Sequence, residues 1–244
     1  MAGGNIGTAE GRRKGGVNSQ LVHRRLDTGF ITLQKVKRPK HTRDFAEFLG
    51  IMYGDGHVGK YQATMTTHSI TDLEHAKYVT KLAKKIFNIK PSFVIRKDVK
   101  ACTMTLNSRK VCEYMAEEGM ARGNKLTLGL KIPQWVLSNV TYTRAFTRGL
   151  FDTDGCVFLD KHVIRKKLYQ NLGIAFSSRS PELLEHFWTV LRDLGCHPTQ
   201  TTPHGVFLRR AKEIDLYFKV IGSSNPKHLK RYREYLRLKN GGVA

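Results

Sequence analysis

A nine-residue apolar segment that contains glycine and ends in Asp-Gly occurs twice in the chain, and this duplication constrains the fold most. Residues 48–56 read FLGIMYGDG, and residues 147–155 read TRGLFDTDG, at an offset of 99 positions. Two further sets recur in the same order. Ser69, Leu73, Glu74 and His75 return 111 positions later, and Leu106, Lys110 and Lys125 return 102 positions later. Three matches in one order indicate a tandem duplication, and insertions in surface loops account for the changing offset.

Each half is predicted to run helix, two strands, helix, two strands, helix. Strand-like stretches fall at 61–67, 92–95 and 101–106, and in the second half at 172–177, 199–201 and 205–209. Apolar residues at a 3.6-residue period predict amphipathic helices over 73–86 and 183–194. The predicted fold class is therefore α+β, with two duplicated αββαββα lobes related by a pseudo-twofold axis. We place the lobes at residues 43–140 and 141–244, after a basic N-terminal extension of residues 1–42.

The small residues of the repeated segments predict how the two lobes meet. If each segment is a helix, Gly50 and Gly54 lie on one face, as do Gly149 and Thr153. Glycine inside a helix costs about 1 kcal/mol relative to alanine, so two in one turn need a reason. Close packing of one helix backbone on the other supplies it. The terminal glycine of each segment is expected to adopt the left-handed cap.

Asp55 and Asp154 immediately precede those terminal glycines. A carboxylate at a helix C-terminus faces the negative end of the macrodipole, and two of them side by side repel each other. A divalent cation removes both conflicts, and hard oxygen ligands with positions left for water and phosphate fit Mg²⁺. A single Asp-Gly is usually a turn, but two copies in duplicated apolar segments favour a catalytic metal site.

The chain carries 42 Lys and Arg against 20 Asp and Glu, a formal net charge of +22, which favours a polyanionic partner. No apolar run approaches the length of a spanning helix, so we expect nucleic acid rather than a membrane.

The cysteines (Cys102, Cys112, Cys156 and Cys196) show no CxxC spacing and are expected to be free thiols. The expected location is the cytoplasm, or an organellar matrix if the gene is organellar.

The two repeated segments resemble the LAGLIDADG motif, which marks a family of homing endonucleases. Both align with the motif without gaps, and IPQWVLSN…RAFTRGLFDTDG and IGSSNPKH are also typical of the family. The resemblance covers about residues 43–238. It implies a monomer with motif helices at the lobe interface, two saddle-shaped sheets in the major groove, and Mg²⁺-dependent cleavage of double-stranded DNA. The first copy departs from the motif at its earlier acidic position, which is Tyr53 here and Asp152 in the second copy. That position serves packing or helix structure.

The resemblance also assigns candidate site residues. Asp55 and Asp154 are the metal-binding acidic residues, with Gly54 and Thr153 beside them, and Mn²⁺ is expected to substitute for Mg²⁺. Lys125 and Lys227 are candidates either for ordering the attacking water or for plain phosphate contacts. His68 and Arg179 occupy equivalent positions near the scissile phosphates or on the surface. The full set expected to contact DNA is Lys60, Gln62, Thr64, Thr66, His68, Arg96, Lys97, Arg165, Lys167, Arg179 and Arg209.

The ends of the chain and three rival functions complete the prediction. Residues 1–42 are Gly-rich and basic and are expected to form a flexible arm, with a short ordered piece around 30–33; a basic helix is expected from Asn225 onward. An intein would begin with Cys or Ser and end in His-Asn, whereas this chain begins MAGG and ends GGVA, so a free-standing protein is expected. An intron RNA maturase and a non-cleaving DNA-binding regulator remain open. In a pure DNA binder, however, two carboxylates beside phosphate would be unfavourable.

Overall fold

The computed structural model describes residues 7–26, 35–120, 122–123 and 125–241, and the chain divides into two units, 1–35 and 36–244. The helices are α1 (Ala9–Leu26), α2 (Arg43–Asp55), α3 (Leu73–Phe87), α4 (Arg109–Glu117), α5 (Lys125–Leu128), α6 (Gln134–Leu137), α7 (Val140–Asp154), α8 (Pro181–Asp193), α9 (Ala211–Val220) and α10 (Pro226–Gly241). The strands are β1 (Gly56–Val58), β2 (Gln62–His68), β3 (Ser92–Arg96), β4 (Ala101–Asn107), β5 (Gly155–Ile164), β6 (Lys167–Ser177), β7 (Thr199–Thr202) and β8 (Gly205–Leu208).

Two antiparallel four-stranded sheets of the same topology confirm the predicted duplication. Their strand orders are β1-β2-β4-β3 and β5-β6-β8-β7. Helices α2, α3 and α4 accompany the first sheet and α7, α8 and α9 the second, which gives the αββαββα order twice. Buried residues alternate with partly or fully exposed ones along β2 and β4, so the first sheet covers a helical layer on one face and leaves the other open. The predicted boundaries at 42/43 and 140/141 stay a prediction.

The N-terminal unit differs from the expected flexible arm. Residues 9–26 form an 18-residue helix, α1, whose described side chains are almost all exposed. Thr8 caps its N-terminus by accepting a hydrogen bond from the Gly11 amide at 3.1 Å, and Lys14 pairs with Glu10 at 2.9 Å one turn earlier. The stretch contains no proline, and its four Arg, two Leu, one Lys, one Gln and one Ala favour helix and outweigh its three glycines. The short ordered piece expected around 30–33 lies outside the described residues.

Helices α2 and α7 pack backbone to backbone within the second unit, as the glycine pattern predicts. A Cβ atom placed on Gly50 would collide with the carbonyl oxygen of Phe146 and lie 2.9 Å from its carbonyl carbon. A Cβ on Gly149 would collide with the carbonyl oxygen of Glu47 and lie 2.8 Å from the amide nitrogen of Ile51. Only glycine permits this approach, so the two helix C-termini end side by side.

The glycines that end α2 and α7 do not adopt the expected left-handed cap. Gly56 has φ −83° and ψ 154°, and Gly155 has φ −89° and ψ 159°, so the chain passes directly from helix into strand. Glycine is needed there for space. A Cβ on Gly56 would lie 2.6 Å from the Met52 Cα, and one on Gly155 would collide with Cδ2 of Phe151 and lie 2.7 Å from its Cε2. The direct connection fixes each aspartate at a helix–strand junction.

Candidate metal and nucleic-acid site

Asp55 and Asp154 are the last residues of α2 and α7, and the close helix packing brings them together. A Cβ placed on Gly54 would lie 3.1 Å from Oδ2 of Asp154 and 2.9 Å from Cβ of Thr153. The carboxylate from the second lobe therefore rests against the motif helix of the first. The four residues expected to surround a metal meet at one place, on the line between the two lobes.

The electrostatics of this pair fit a bound cation. Both side chains are half-buried, and no hydrogen bond or ion pair joins either carboxylate to another described side chain. The pKa of Asp154 is raised to about 7, first by burial and then by the charge of Asp55, while Lys125 lowers it. The pKa of Asp55 is raised too, first by burial. Two desolvated carboxylates at the negative ends of two helices are poorly compensated, and a divalent cation compensates both.

A metal at this place would draw few ligands from protein side chains. Among the described residues no group of three or more His, Cys, Asp or Glu side chains is arranged to hold a metal ion. The available protein ligands are the two carboxylates and main-chain oxygens of the helix ends, so water or phosphate would have to complete the coordination. This sparse oxygen set suits Mg²⁺, which keeps several waters and is usually bound through one or two carboxylates and a substrate phosphate.

Lys125 lies at the end of α2, where it neutralises the helix C-terminus. Its Nζ donates to the carbonyl oxygens of Tyr53 at 2.7 Å, of Gly54, and of Gly56 at 3.2 Å. Burial lowers the pKa of Lys125, while the charges of Asp154 and Asp55 raise it. An ammonium group has three donors, and these three carbonyls use them. Its role in ordering water stays a prediction, and in the structure it holds the helix end and screens both aspartates.

Lys227 occupies a different environment, although the internal repeat pairs it with Lys125. It is the second residue of α10, and its Nζ lies 2.7 Å from Oδ1 of Asp72. Asn225 donates from Nδ2 to the same oxygen at 2.9 Å. Burial alone would raise the pKa of Asp72, but hydrogen bonds from Asn225, Lys227 and Thr71 lower it below its usual value. Lys227 lowers the pKa of Asp55, whereas Lys125 lowers the pKa of both Asp55 and Asp154, so the two lysines act on the aspartate pair differently.

A cavity of about 400 Å³ opens beside Asp154, and residues from both lobes line it. Its walls include Gly54 and Lys125 from the first lobe and Asp154, Arg179 and His204 from the second. Arg179 and Asp154 thus line the same cavity, and because Arg179 is exposed, its position near a scissile phosphate stays a prediction. Its counterpart His68 is exposed, and its Nδ1 accepts hydrogen bonds from the amides of Thr71 at 3.2 Å and Ile70 at 3.4 Å.

The first sheet presents the predicted DNA-contacting residues on its open face. Gln62, Thr64, Thr66 and His68 alternate along β2 with the buried Ala63 and Met65. Across the sheet Thr66 Oγ1 lies 2.9 Å from Thr103 Oγ1, so threonines of β2 and β4 form a polar surface. Lys60 precedes β2, while Arg96 ends β3 and Lys97 follows it; all three are exposed. The open face is polar in its centre and basic at its margins.

The second sheet has an aromatic and basic open face instead. Arg209 follows β8, with its guanidinium 5.7 Å from the Phe158 ring centre and 5.5 Å from the Phe207 ring centre. Asp160 pairs with the same arginine at 3.6 Å. Arg165 lies exposed in the turn between β5 and β6. Lys167 begins β6, but its side chain lies outside the described residues.

Asp72 and His204 shape this region but carried no signal in the sequence. Asp72 accepts a hydrogen bond from Asn225 of the second lobe, which lies in the IGSSNPKH stretch, and His204 lines the cavity from the β7–β8 turn. Each comes from a segment without periodicity and is brought in only by tertiary packing. Tyr53 and Asp152, the earlier acidic position of the motif, each fasten a motif helix to its own lobe. Tyr53 donates to the carbonyls of Glu118 and Lys131, and Asp152 accepts from the amide of Ser224 at 2.8 Å.

Comparison with known proteins agrees with this geometry. Residues 141–237, which are 97 of the 244 in the chain, match the family profile of the LAGLIDADG-like domain. The chain is 33% identical over 125 residues to the replication factor C small subunit of Methanocaldococcus jannaschii, and 28% identical over 155 residues to the tRNA-splicing ligase RtcB of Methanopyrus kandleri. These matches cover 46% and 57% of the chain, but only 7% and 15% of those longer proteins.

Solved structures share the whole two-lobed fold. The meganuclease I-SmaMI bound to DNA aligns with a TM-score of 0.55 at 11% identity, over 84% of this chain and 92% of that one. The LAGLIDADG homing endonuclease I-LtrWI bound to target DNA aligns with a TM-score of 0.54 at 10% identity, over 82% and 92%. I-DmoI in complex with DNA and Ca aligns with a TM-score of 0.51 at 19% identity, over 80% and 97%.

Fold and site together define a two-lobed α+β protein built around paired Asp-Gly helix ends. Residues 141–237 match the LAGLIDADG-like domain, and solved LAGLIDADG homing endonucleases share the two-lobed fold, so the resemblance to that family is confirmed. No helix among the described residues is both long and apolar enough to cross a membrane.

Proposed function

We propose that the protein is a metal-dependent DNA endonuclease that acts as a monomer and cuts both strands of a long, specific duplex target. The observation that carries the proposal is the convergence of Asp55 and Asp154. Two half-buried carboxylates without a described side-chain partner meet at the ends of closely packed helices, in a chain with a net charge of +22. If Asp55 and Asp154 had only a structural role, the repulsion between their carboxylates would destabilise the protein with no functional gain.

The residues divide into those that bind DNA and those that serve the reaction. Asp55 and Asp154 would hold Mg²⁺ or Mn²⁺, with main-chain oxygens at Gly54 and Thr153 beside them. Such a cation, when bound, supplies electrostatic stabilisation of a phosphodiester that is attacked by water. Arg179 lines the cavity beside Asp154 and offers a guanidinium to a phosphate, and Lys227 brings positive charge next to Asp55.

Recognition would use the open faces of the two sheets. Two sheets laid along the duplex cover roughly two helical turns, about 20 base pairs. Thr64 and Thr66 in the first sheet offer hydroxyl and methyl groups to base edges, and Arg209 in the second offers a guanidinium held by two phenylalanine rings. The relatives I-LtrWI and I-DmoI, solved with DNA, support the placement of a duplex against these sheets.

The proposal is tested by a cleavage selection. The purified chain is incubated with a large library of random duplexes in Mg²⁺ and, in parallel, in EDTA, and the cut ends are sequenced. We expect discrete double-strand breaks within one long sequence motif in Mg²⁺ and none in EDTA. Tight binding without a cut in Mg²⁺, Mn²⁺ or Ca²⁺ would overturn the nuclease proposal and favour a DNA-binding regulator. Failure to bind duplex DNA, with binding to structured intron RNA, would favour a maturase.

A further inference from the structure

The second lobe carries a hairpin that has no counterpart in the first. In the first sheet, Val58 pairs with Ala63, and four residues close the turn. The equivalent positions in the second sheet are Val157 and Ile174, which pair with each other across sixteen intervening residues. The twelve additional residues account for the change of offset from 99 to 111 between the repeats. Residues 160–171 are called the projecting hairpin below.

The projecting hairpin extends beyond the body of its lobe. Strands β5 and β6 stay paired as far as Ile164 and Lys167, whereas β8 pairs with β6 only up to Ile174. On the face turned to the helices, Val157 is fully buried, but Val163, six residues further along the same face, is 66% exposed. No helical layer therefore lies under the outer part. At about 3.3 Å per residue, the five residue pairs and the turn, six residues along each strand, reach about 20 Å beyond the core.

The charge of the projecting hairpin identifies its partner. Residues 160–171 contain Lys161, Arg165, Lys166 and Lys167 but only one acidic residue, Asp160, which is paired with Arg209. Arg165 and Lys166 form the two-residue turn, both with positive φ (49° and 66°), and both are exposed. Such turns favour Asn-Gly, so geometry does not explain the choice of two cations. A polyanion is the partner that such a tip fits.

We infer that the projecting hairpin contacts DNA beyond the sheet of its lobe, which makes the recognised sequence longer on the side of the second lobe. The inference rests on the proposed DNA-binding function. The hairpin continues the sheet whose open face carries Arg209, so it follows the duplex outward from the central base pairs. With one base pair every 3.4 Å, a reach of about 20 Å adds about six base pairs to one half of the target only. The first lobe, whose hairpin turns directly after Val58, adds none.

Two variants test this contact. In the first, residues 161–170 are replaced by Asn-Gly, which keeps the Asp160–Asn171 pair and the Arg209 contact and places a favoured two-residue turn in register. The second variant keeps the full hairpin and carries Arg165→Gln and Lys166→Gln. Lys81→Gln, at an exposed position of helix α3 in the first lobe, is the control. The melting temperature of each protein is recorded, and the double-glutamine protein alone decides the test if the shortened one does not fold.

Each protein is used to select binders from a random duplex library in Ca²⁺, and hydroxyl-radical footprints are then taken on the sequence selected by the full chain. We expect the protected region to extend about six base pairs further from its centre on one side. The shortened hairpin should lose this extension, and the double-glutamine change should lower the slope of log K against log salt by about two. Lys81→Gln should leave the longer protected side unchanged. If the full chain protects equal lengths of DNA on both sides of the centre, and the shortened hairpin does not change them, the inference is overturned and the proposed function stands. Absence of any selected duplex would overturn both.

Discussion

Replacement of Gly50 by alanine tests the backbone contact that brings the two aspartates together. The added Cβ would lie 2.9 Å from the Phe146 carbonyl carbon and 3.0 Å from the Leu150 amide nitrogen, and closer still to the Phe146 carbonyl oxygen. Ordinary contacts begin near 3.4 Å, and all the obstructing atoms belong to helix backbone, so α2 and α7 must move apart. Overpacking of this kind costs about 3 kcal/mol, at the upper end of the usual range because no side chain can yield. Alanine returns about 1 kcal/mol of helix propensity, which leaves a net loss of about 2 kcal/mol.

Urea unfolding followed by circular dichroism measures this loss, and a domain of this size should melt about 4–8 °C lower. Gly16→Ala in α1 is the matched control. It is also a helical glycine, but no atom lies within 4 Å of the added Cβ, and the free energy of unfolding should not fall. The same separation of α2 and α7 should slow DNA cleavage more than it weakens DNA binding. If Gly50→Ala unfolds at the same urea concentration as the unchanged chain and cleaves DNA at the same rate, the backbone packing argument is refuted.

Three further predictions concern residues around the site. Tyr53→Phe leaves two main-chain carbonyls without their donor and should destabilise the protein by about 1–2 kcal/mol in urea unfolding; an unchanged midpoint would contradict this. Asp72→Asn removes the partner of the largely buried Lys227 and should cost about 2 kcal/mol, whereas the exposed Glu74→Gln should cost under about 0.5 kcal/mol; equal losses would refute a special role for Asp72. Burial lowers the pKa of His186 to about 4, below its unfolded value of about 6.5. The buried neutral imidazole therefore contributes fully to the free energy of unfolding above pH 6.5, and this contribution is lost as the pH falls towards 4. Between pH 6.5 and 4, the free energy of unfolding of His186→Gln should therefore fall by up to about 3 kcal/mol less than that of the unchanged chain. If urea unfolding gives the same pH dependence for both proteins, the imidazole of His186 is not buried in its neutral form.

The sequence predicted the fold because the duplicated pattern specifies the elements twice. Strands and amphipathic helices follow from periodicity, and β2, for example, begins and ends within one residue of its predicted range. The close approach of α2 and α7 followed from Gly50 and Gly149, since glycine weakens a helix and is kept in both copies only where two backbones touch. The left-handed conformation predicted for Gly56 and Gly155 was wrong. Lack of space and a left-handed backbone both favour glycine, and the sequence does not distinguish between them.

The remaining features depend on contacts that no local pattern records. The change of offset gave the size of the insertion in the second lobe, but only the strand register places it in the hairpin at 160–171. Lys125 and Lys227 look equivalent in sequence, yet Lys227 meets Asp72, whose repeat counterpart is Leu183. Helix α1 was missed because glycine and charge obscure its helix-forming residues. Asymmetry between duplicated lobes is thus where prediction from sequence fails and where the structure adds most.

The central claim is that Asp55 and Asp154 together serve the hydrolysis of both DNA strands. Its most direct test is single-turnover cleavage of the selected duplex, labelled on each strand in turn, by the unchanged chain and by an Asp55→Asn/Asp154→Asn double variant. Asp193→Asn is the matched control, because Asp193 also ends a helix but is exposed and lies outside the two repeated segments. We expect the double variant to bind the duplex in Ca²⁺ as before but to cut either strand at least about 10³-fold more slowly, a change of about 4 kcal/mol in the activation barrier. Cleavage of both strands at the original rate by the double variant would contradict the central claim.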